Sequence, residues 1–418
     1  MIGSGIFLVP TTIALYLHSS SLVILIWVVG GIVSLFGALA VAELGGMMPK
    51  AGGQFVYLRE AYGPLWGFLY GWAAFFVIMS ASIAAIAVGF ATYVGYFFPI
   101  NTAGVKIVAI ASIVLLTAVN CFGVKFGAIV QNGFTLLKIA ALCLLALLSF
   151  ILSGGTVSNF SPVLPELPFT TMAGPLGLAM IAVLWSYDGW IEITYVAGEV
   201  KNPERNFHRS VIISTLIVIA SYVFINLGYM YVLPLRTMAQ SPLVASDAAT
   251  VILGPAGASL IALAVIGSTF GANNGFVFTG ARIYYAMAKE GLFFRSFAKI
   301  HPRFHTPIPS LVGQGLWASL LVLSGTYDDL ITHVVFVSWI FYAMSCGAVF
   351  LLRKKWHDTP RPYKTWGYPY TPVVFIVFAL YLVGNTIIED PHSTAISVGL
   401  LLLGIPAMYY WKKKRRPR

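Results

Sequence analysis

Charged side chains are scarce in this 418-residue chain: only 9% of its residues are Asp, Glu, Lys or Arg. Soluble globular domains carry roughly 25% charged residues, so the composition excludes that class. Hydrophobic residues make up 59% of the chain and the mean hydropathy is +0.86, which excludes a disordered protein. The sequence therefore predicts an all-α polytopic membrane protein, because a spanning helix needs about 20 apolar residues and about twelve such helices fill this length.

Cysteine is scarcer still, with three residues in the chain. All three cysteines, Cys121, Cys143 and Cys346, fall within apolar runs, so we expect neither a disulfide framework nor a disulfide-linked subunit. The sequence also lacks HExxH, P-loop and GxSxG motifs and any Cys/His cluster. It therefore predicts no catalytic residues, no metal and no cofactor. An intramembrane enzyme stays open as an alternative, although it would need a nucleophile and a base at a common depth.

The net charge of +11 is distributed unevenly. Of the 25 Lys and Arg residues, 22 lie toward one set of alternate loops and the C-terminal tail, whereas Lys106 and Arg236 lie toward the opposite loops. Basic residues concentrate on the cytoplasmic side of membrane proteins, so the sequence predicts a cell-membrane protein with a cytoplasmic C-terminus. This pattern indicates a lipid bilayer rather than nucleic acid as the partner of the basic residues.

The apolar runs predict twelve spans, and the first of them is short. The chain reaches a Gly3-Ser4-Gly5 break almost at once and a polar turn by His18, so we expect the first span to be truncated, with the chain starting in mid-membrane. The predicted spans are 3–17, 22–44, 64–96, 105–123, 126–152, 175–197, 209–232, 256–287, 308–325, 331–352, 371–388 and 394–411.

The two halves of the chain show a faint repeat. Gly63-Pro64 opens the third span, and Gly254-Pro255 opens the eighth, 191 positions later. A repeat five spans later is inverted in the membrane, as in many secondary transporters. The predicted organisation is a first inverted repeat over 1–152, an extracellular joint over 153–174, a second repeat over 175–352, two additional spans over 371–411 and a basic cytoplasmic tail over 412–418.

Gly3-Ser4-Gly5 and Ser186-Tyr187-Asp188-Gly189 interrupt matching spans of the two halves. The N-terminus of a half-helix presents free N–H groups that suit a carboxylate, and free carbonyls at the other break suit an ammonium. Together they suit an α-amino acid, although glycines also simply permit close helix packing. Asp188 lies in the second break, where it could contact substrate, and Trp185 and Tyr187 flank the break as pocket or gate residues.

Three charged residues inside or beside spans need an explanation. Lys138 lies near the middle of the fifth span, where an ammonium can replace a sodium ion or carry a proton. A lysine in a water-filled vestibule without a role is the alternative. Glu192 is interpreted as a hydrogen-bonded structural carboxylate, and Glu43 as a gate or pairing residue at the end of the second span.

Several motifs resemble those of the amino acid–polyamine–organocation superfamily, and most closely its L-type branch with its bacterial relatives. The resemblance covers essentially the whole chain, and the motifs are residues 2–7, 42–45, 49–53, 57–63, 186–190 and 198–206. It implies a LeuT-like fold, in which two inverted five-helix repeats are followed by two further helices. It also implies substrate-binding positions at Gly3, Ser4, Gly5, Ile6, Trp185, Ser186, Tyr187 and Asp188.

In this resemblance, the backbone at 3–5 binds the substrate carboxylate, and carbonyls near Met1, Trp185, Ser186 and Asp188 bind its amino group. Lys138 matches the lysine that substitutes for a sodium ion and couples the first and eighth spans, so a coupling role is expected for it. The expected function is sodium-independent transport of neutral amino acids by alternating access and exchange. A proton-coupled amino acid or amine permease and a non-transporting nutrient sensor remain alternatives. Asp188 stands where the family often has a small residue, so the substrate preference cannot be copied from the family.

Overall fold

The computed structural model describes residues 1–49, 52–152, 155–165, 168, 171–199 and 202–415. These residues form α-helices joined by short turns, 3-10 segments and one π-helical turn, and the described part contains no strand. In chain order the helices are α1 (Gly5–Leu17), α2 (Ser20–Met47), α3 (Gln54–Tyr62), α4 (Pro64–Ala73), α5 (Met79–Val94), α6 (Thr102–Cys121), α7 (Val124–Ile151), α8 (Ala173–Tyr187), α9 (Pro203–Val232), α10 (Leu235–Gln240), α11 (Val244–Lys289), α12 (Ile308–Ser324), α13 (Tyr327–Lys355), α14 (Tyr370–Glu389), α15 (Pro391–Leu402) and α16 (Gly404–Arg415).

Eight helical segments in the described ranges are long and apolar enough to cross a membrane. Four shorter apolar helices accompany them: Gly5–Leu17, Lys138–Ile151, Ala173–Tyr187 and Ile308–Ser324. Each of the twelve predicted spans corresponds to one of these twelve segments, which confirms the polytopic all-α architecture. The sixth span differs most from its prediction, because α8 ends at Tyr187 and the chain continues after a turn as a 3-10 helix.

Both predicted Gly-Pro breaks are present and have similar backbone angles. Gly63 separates α3 from α4 at φ 101° and ψ 174°. Gly254 interrupts α11 at φ 69° and ψ −166°. Positive φ favours glycine because it has no Cβ, and the proline that follows each glycine suits the first turn of a helix. The two Gly-Pro pairs therefore interrupt the helical chain with the same local geometry.

The start of α1 crosses the end of α8 at close range. A Cβ atom on Gly5 would lie 2.8 Å from the Cα of Ser186, closer than such atoms approach in folded proteins. Beyond this crossing the chain turns at Gly189, which has φ +102°. The two interrupted helices therefore meet at their breaks, and glycine is required at the crossing.

An ion cluster joins helix ends on the face that carries most of the basic residues, which we call the basic face. The buried Glu43 carboxylate at the end of α2 accepts two hydrogen bonds from Arg353 of α13, at 2.9 and 2.6 Å. Thr365 donates its N–H and its hydroxyl to the same carboxylate, each at 2.8 Å. Arg361 Nε lies 3.4 Å from the Glu43 carboxylate, and the Arg361 guanidinium donates to four backbone carbonyls at the end of α13 and in the connection to α14. Glu43 is thus a pairing residue.

The opposite face is marked by acidic residues at helix starts. Asp329 forms a capping box with Thr326 at the start of α13, and Asp390 caps α15. Parts of the predicted joint over 153–174 lie outside the described residues. So do residues 50 and 51 of the predicted motif over 49–53, residues 200 and 201 of the predicted motif over 198–206, and residues 416–418 of the predicted tail.

Candidate functional site

A cavity of about 540 Å³ lies where the breaks of α1 and α8 meet. Its walls also include the middle of α11 and the segment that follows the α8 break. The lining residues are Met1, Ile2, Gly3, Ser4, Gly5, Ile86, Trp185, Ser186, Asp188, Gly189, Glu192, Ile193, Ala272, Gly275, Phe276, Phe278 and Thr279.

Most of the predicted binding positions border this cavity. Those that line it are Gly3, Ser4, Gly5, Trp185, Ser186 and Asp188. Ile6 and Tyr187 do not line it: both are fully buried, and the Tyr187 hydroxyl donates to the carbonyl of Trp27 in α2 at 3.0 Å. The structure therefore brings six of the eight predicted positions together around one space.

Tyr327, at the start of α13, lies between the cavity and the opposite face. Its hydroxyl accepts a hydrogen bond from Trp185 Nε1 at 2.9 Å and shares another with Ser4 Oγ at 3.1 Å. One hydroxyl thus ties the starts of α1 and α13 to the end of α8 and closes the cavity toward that face. Sequence reasoning did not identify Tyr327, and no local motif marks it.

The carbonyls at the two breaks are partly engaged. The Tyr222 hydroxyl of α9 approaches the carbonyls of Ser186 and Met1 at 3.0 and 3.2 Å. Because a phenol has one proton to donate and each carbonyl has two lone pairs, acceptor capacity remains for a substrate ammonium. Asp188 accepts a hydrogen bond from the Tyr342 hydroxyl at 2.8 Å. These contacts hold the break in one conformation and leave acceptors facing the cavity.

Lys138 lies beside the cavity rather than in it. Its side chain is 2% exposed, and Nζ donates to the carbonyl of Ile2 at 3.1 Å. It lines a neighbouring space of about 310 Å³ that shares Met1, Ile2, Gly189 and Ile193 with the central cavity. The Lys138 ammonium therefore binds the backbone beside the α1 break.

Glu192 lines the cavity from the 3-10 helix Glu192–Glu199, and its Oε2 accepts a hydrogen bond from the hydroxyl of Thr279 in α11. The expected hydrogen-bonded role is compatible with this contact, but the position on the cavity wall was not predicted. Among the described residues, no lysine or arginine forms a salt bridge with Glu192 or Asp188. The same residues contain no group of three or more His, Cys, Asp or Glu side chains suited to a metal ion.

Chemically, the site offers N–H groups at the beginning of α1, carbonyl and carboxylate oxygens at the α8 break, and an apolar wall. The positive end of the α1 dipole favours an anion, and the oxygens favour a cation. A zwitterion with an apolar side chain complements such a surface.

Comparison with known proteins gives a match over nearly the full length. The family model described as amino acid permease matches residues 1–407. The chain is similar to the serine/threonine exchanger SteT of Bacillus subtilis, with 34% identity over all of this chain and 94% of that protein. It is 33% identical to the b(0,+)-type amino acid transporter 1 of Mus musculus, over 98% of this chain and 84% of the relative. It is also 33% identical to the large neutral amino acids transporter small subunit 2 of Mus musculus, over 99% of this chain and 79% of that relative.

Proposed function

Because this chain belongs to the amino acid permease family, we propose that it is a sodium-independent transporter that exchanges amino acids across a membrane by alternating access. The observation that carries the proposal is the cavity at the meeting point of two interrupted helices. A cavity with anion-binding N–H groups on one side and cation-binding oxygens on the other complements the common part of every α-amino acid. The membrane embedding and the LeuT-like fold agree with this function and exclude a soluble enzyme.

Each part of the site has a role in the proposal. The N–H groups at Gly3, Ser4 and Gly5 bind the substrate carboxylate, and the carbonyl of Ser186 with the carboxylate of Asp188 binds its ammonium. Trp185 acts as a gate, supported by its bond to the Tyr327 hydroxyl. Ile6 and Tyr187 support the breaks from behind.

Lys138 takes the place of a sodium ion in this proposal. Its ammonium holds the carbonyl of Ile2, and Ser268 of α11 donates to the next carbonyl, that of Gly3, at 3.5 Å. Both contacts converge on the α1 break from neighbouring helices. A fixed positive charge at this point removes the need for a bound cation to stabilise freed carbonyls.

We further propose that residues 1–152 and 175–352 are inverted repeats followed by two helices over 371–411, with a cytoplasmic C-terminus in a cell membrane. The matched glycine breaks support the repeats, and the basic face supports the orientation. We also propose that the transporter works without a disulfide-linked subunit. In support, the cysteines lie within α6, α7 and α13 rather than in loops of the opposite face.

The test is uptake into proteoliposomes that contain the purified chain. External radiolabelled serine, threonine or leucine is offered to vesicles loaded with the same unlabelled amino acid or left empty. We expect uptake only into loaded vesicles, at the same rate when choline replaces sodium. Equal uptake into empty vesicles would contradict exchange, and a requirement for sodium would contradict the role of Lys138. Uptake driven by an imposed proton gradient would favour the proton-coupled alternative.

A further inference from the structure

The end of α16 carries exposed basic residues beside an aromatic cluster on the basic face. We call Arg295, in the connection between α11 and α12, together with Lys412 and Lys413 of α16, the headgroup patch. We propose that the headgroup patch binds the headgroup of an anionic phospholipid from the leaflet on the basic face. This inference concerns the surface of the protein and does not depend on the proposed exchange function.

Trp411 fixes the end of α16 against the rest of the protein. Its ring stacks on Phe293 with the centroids 5.7 Å apart, and it meets Phe294 edge to face at 5.3 Å. Phe68 and Trp72 of α4 complete the cluster, with centroids 6.2 and 6.4 Å from that of Trp411. Aromatic pairs at such distances stabilise a contact beyond the area that they bury. The basic residues after Trp411 are therefore held in place, which reduces the entropy lost when they bind a ligand.

The contact between Phe294 and Trp411 brings together basic residues that are far apart in the sequence. Arg295 directly follows Phe294, and Lys412 directly follows Trp411, so both lie next to the same pair of rings. Lys413 is the next residue of α16. Three long basic side chains thus start from neighbouring points of the surface, where they can reach one phosphate group.

The headgroup patch has positive charge without a counter-charge. Its three residues are exposed, and none of them forms a salt bridge with a carboxylate of the described residues. The carboxylates of Glu60 in α3 and Glu290 at the end of α11 are both paired with Arg59 instead. A local excess of positive charge attracts an anionic group.

The aromatic residues around the headgroup patch indicate that it lies at the surface of the bilayer. The segment Pro391–Lys413 is long and apolar enough to span a membrane, and Tyr409 and Tyr410 near its end are 66% and 58% exposed. Tyrosine and tryptophan concentrate at the level of the lipid headgroups. Phe294 adds another ring that is 50% exposed. An exposed apolar surface next to a cationic one fits a phospholipid better than a soluble anion.

A general attraction between the basic face and an anionic bilayer makes a different prediction. In that case every exposed basic residue on this face contributes alike, and the position of α16 has no effect. If the headgroup patch is a site, binding depends on its three residues and on Trp411, which carries no charge but holds two of them in place.

The experiment is native mass spectrometry of the detergent-purified chain with an equimolar mixture of dioleoyl-phosphatidylglycerol and dioleoyl-phosphatidylcholine. The two lipids have the same acyl chains, and only the first has a net negative charge. In the wild-type chain, we expect phosphatidylglycerol adducts to exceed phosphatidylcholine adducts at least tenfold. In the triple variant Arg295→Gln, Lys412→Gln, Lys413→Gln, this ratio should fall toward one, because each basic residue near an anionic headgroup strengthens binding about fivefold.

The matched control removes one arginine and two lysines elsewhere on the basic face, with Arg209→Gln, Lys354→Gln and Lys364→Gln. These residues are also exposed, and they lie in α9, in α13 and in the connection between α13 and α14, so the control should keep the wild-type ratio. Trp411→Ala retains all charges and should lower the ratio, because the end of α16 loses its aromatic contacts.

Three outcomes would overturn the inference. The first is a wild-type ratio near one. The second is a control variant that lowers the ratio as much as the headgroup-patch variant does, since the attraction would then be general. The third is displacement of phosphatidylglycerol by an equal concentration of glycerol 3-phosphate, which would indicate a site for a soluble anion. All the substituted basic residues are exposed, so these variants should fold, and none of the outcomes depends on whether the chain exchanges amino acids.

Discussion

Replacing Tyr327 with phenylalanine tests how the cavity is closed toward the opposite face. The substitution keeps the ring and removes the hydroxyl that accepts from Trp185 Nε1 at 2.9 Å and bonds Ser4 Oγ at 3.1 Å. Each neutral hydrogen bond contributes about 1 kcal/mol net, so the pair favours the closed arrangement by about 2 kcal/mol. Tyr327→Phe should therefore raise the population open to the opposite face about 30-fold, at 1.4 kcal/mol per factor of ten.

The measurement uses the cavity-lining residue Ile86 as a reporter. Ile86→Cys is introduced into a chain whose three native cysteines are replaced by alanine, and intact cells are treated with a membrane-impermeant maleimide. Under the proposed topology the reagent reaches position 86 only through the opposite face. The labelling rate should rise in proportion to the open population while that population stays small, so we expect faster labelling in the Tyr327→Phe background.

Tyr284→Phe is the matched control. Tyr284 is fully buried and its hydroxyl donates to the carbonyl of Ala74 at 3.2 Å, so this variant also loses one phenolic hydrogen bond. This hydrogen bond involves neither α1 nor α8, so Tyr284→Phe should leave the labelling rate at the wild-type value. Labelling of the Tyr327→Phe chain no faster than that of the Tyr284→Phe chain would refute the view that the Tyr327 hydroxyl holds the cavity closed.

Three further substitutions address the breaks and the basic face. Lys138→Ala removes the ammonium from the Ile2 carbonyl, and it should lower the exchange rate by about 10- to 150-fold at wild-type expression; unchanged exchange would refute the coupling role. Gly5→Ala places a Cβ 2.8 Å from the Cα of Ser186 and should abolish exchange in the proteoliposome uptake assay. Gly399→Ala is the control: its Cβ meets no atom within 4 Å, so its exchange rate should equal that of the wild type. Glu43→Gln removes the buried carboxylate that pairs with the partly exposed Arg353 and should destabilise the fold by about 1–3 kcal/mol, seen as a lower melting temperature in detergent.

Local chemistry made the spans and breaks predictable from the sequence. Apolar runs of sufficient length are confirmed as helices, and Gly63 and Gly254 adopt the positive φ that their Gly-Pro context suggests. Lys138 also stood out, because an ionisable residue inside a span is rare and expensive. The spans, the Gly-Pro breaks and the buried lysine are each recognised from composition or from a few neighbouring residues. They can therefore be predicted without knowing which helices pack together.

Contacts between distant helices and the directions of side chains at the end of α8 depend on tertiary packing, so they could not be predicted from the sequence. Ser4 and Tyr327 are 323 positions apart, so no local pattern connects them. At the end of α8, residues 185, 186 and 188 line the cavity while Tyr187 points to the carbonyl of Trp27. At the end of a helix, the direction of each side chain depends on the helices packed around it. The sequence shows two aromatic residues beside the break, Trp185 and Tyr187, but not which of them faces the cavity.

The contrast between Asp188 and Glu192 shows what a helix break does to a site. On a continuous helix, residues four apart share a face, but the chain turns at Gly189 between them. Both carboxylates nevertheless line the cavity, because the turn and the following 3-10 helix lead the chain along its wall. Asp188 bonds Tyr342 of α13 and Glu192 bonds Thr279 of α11, so two carboxylates close in sequence are held by different helices. Movement of α11 relative to α13 would change their separation.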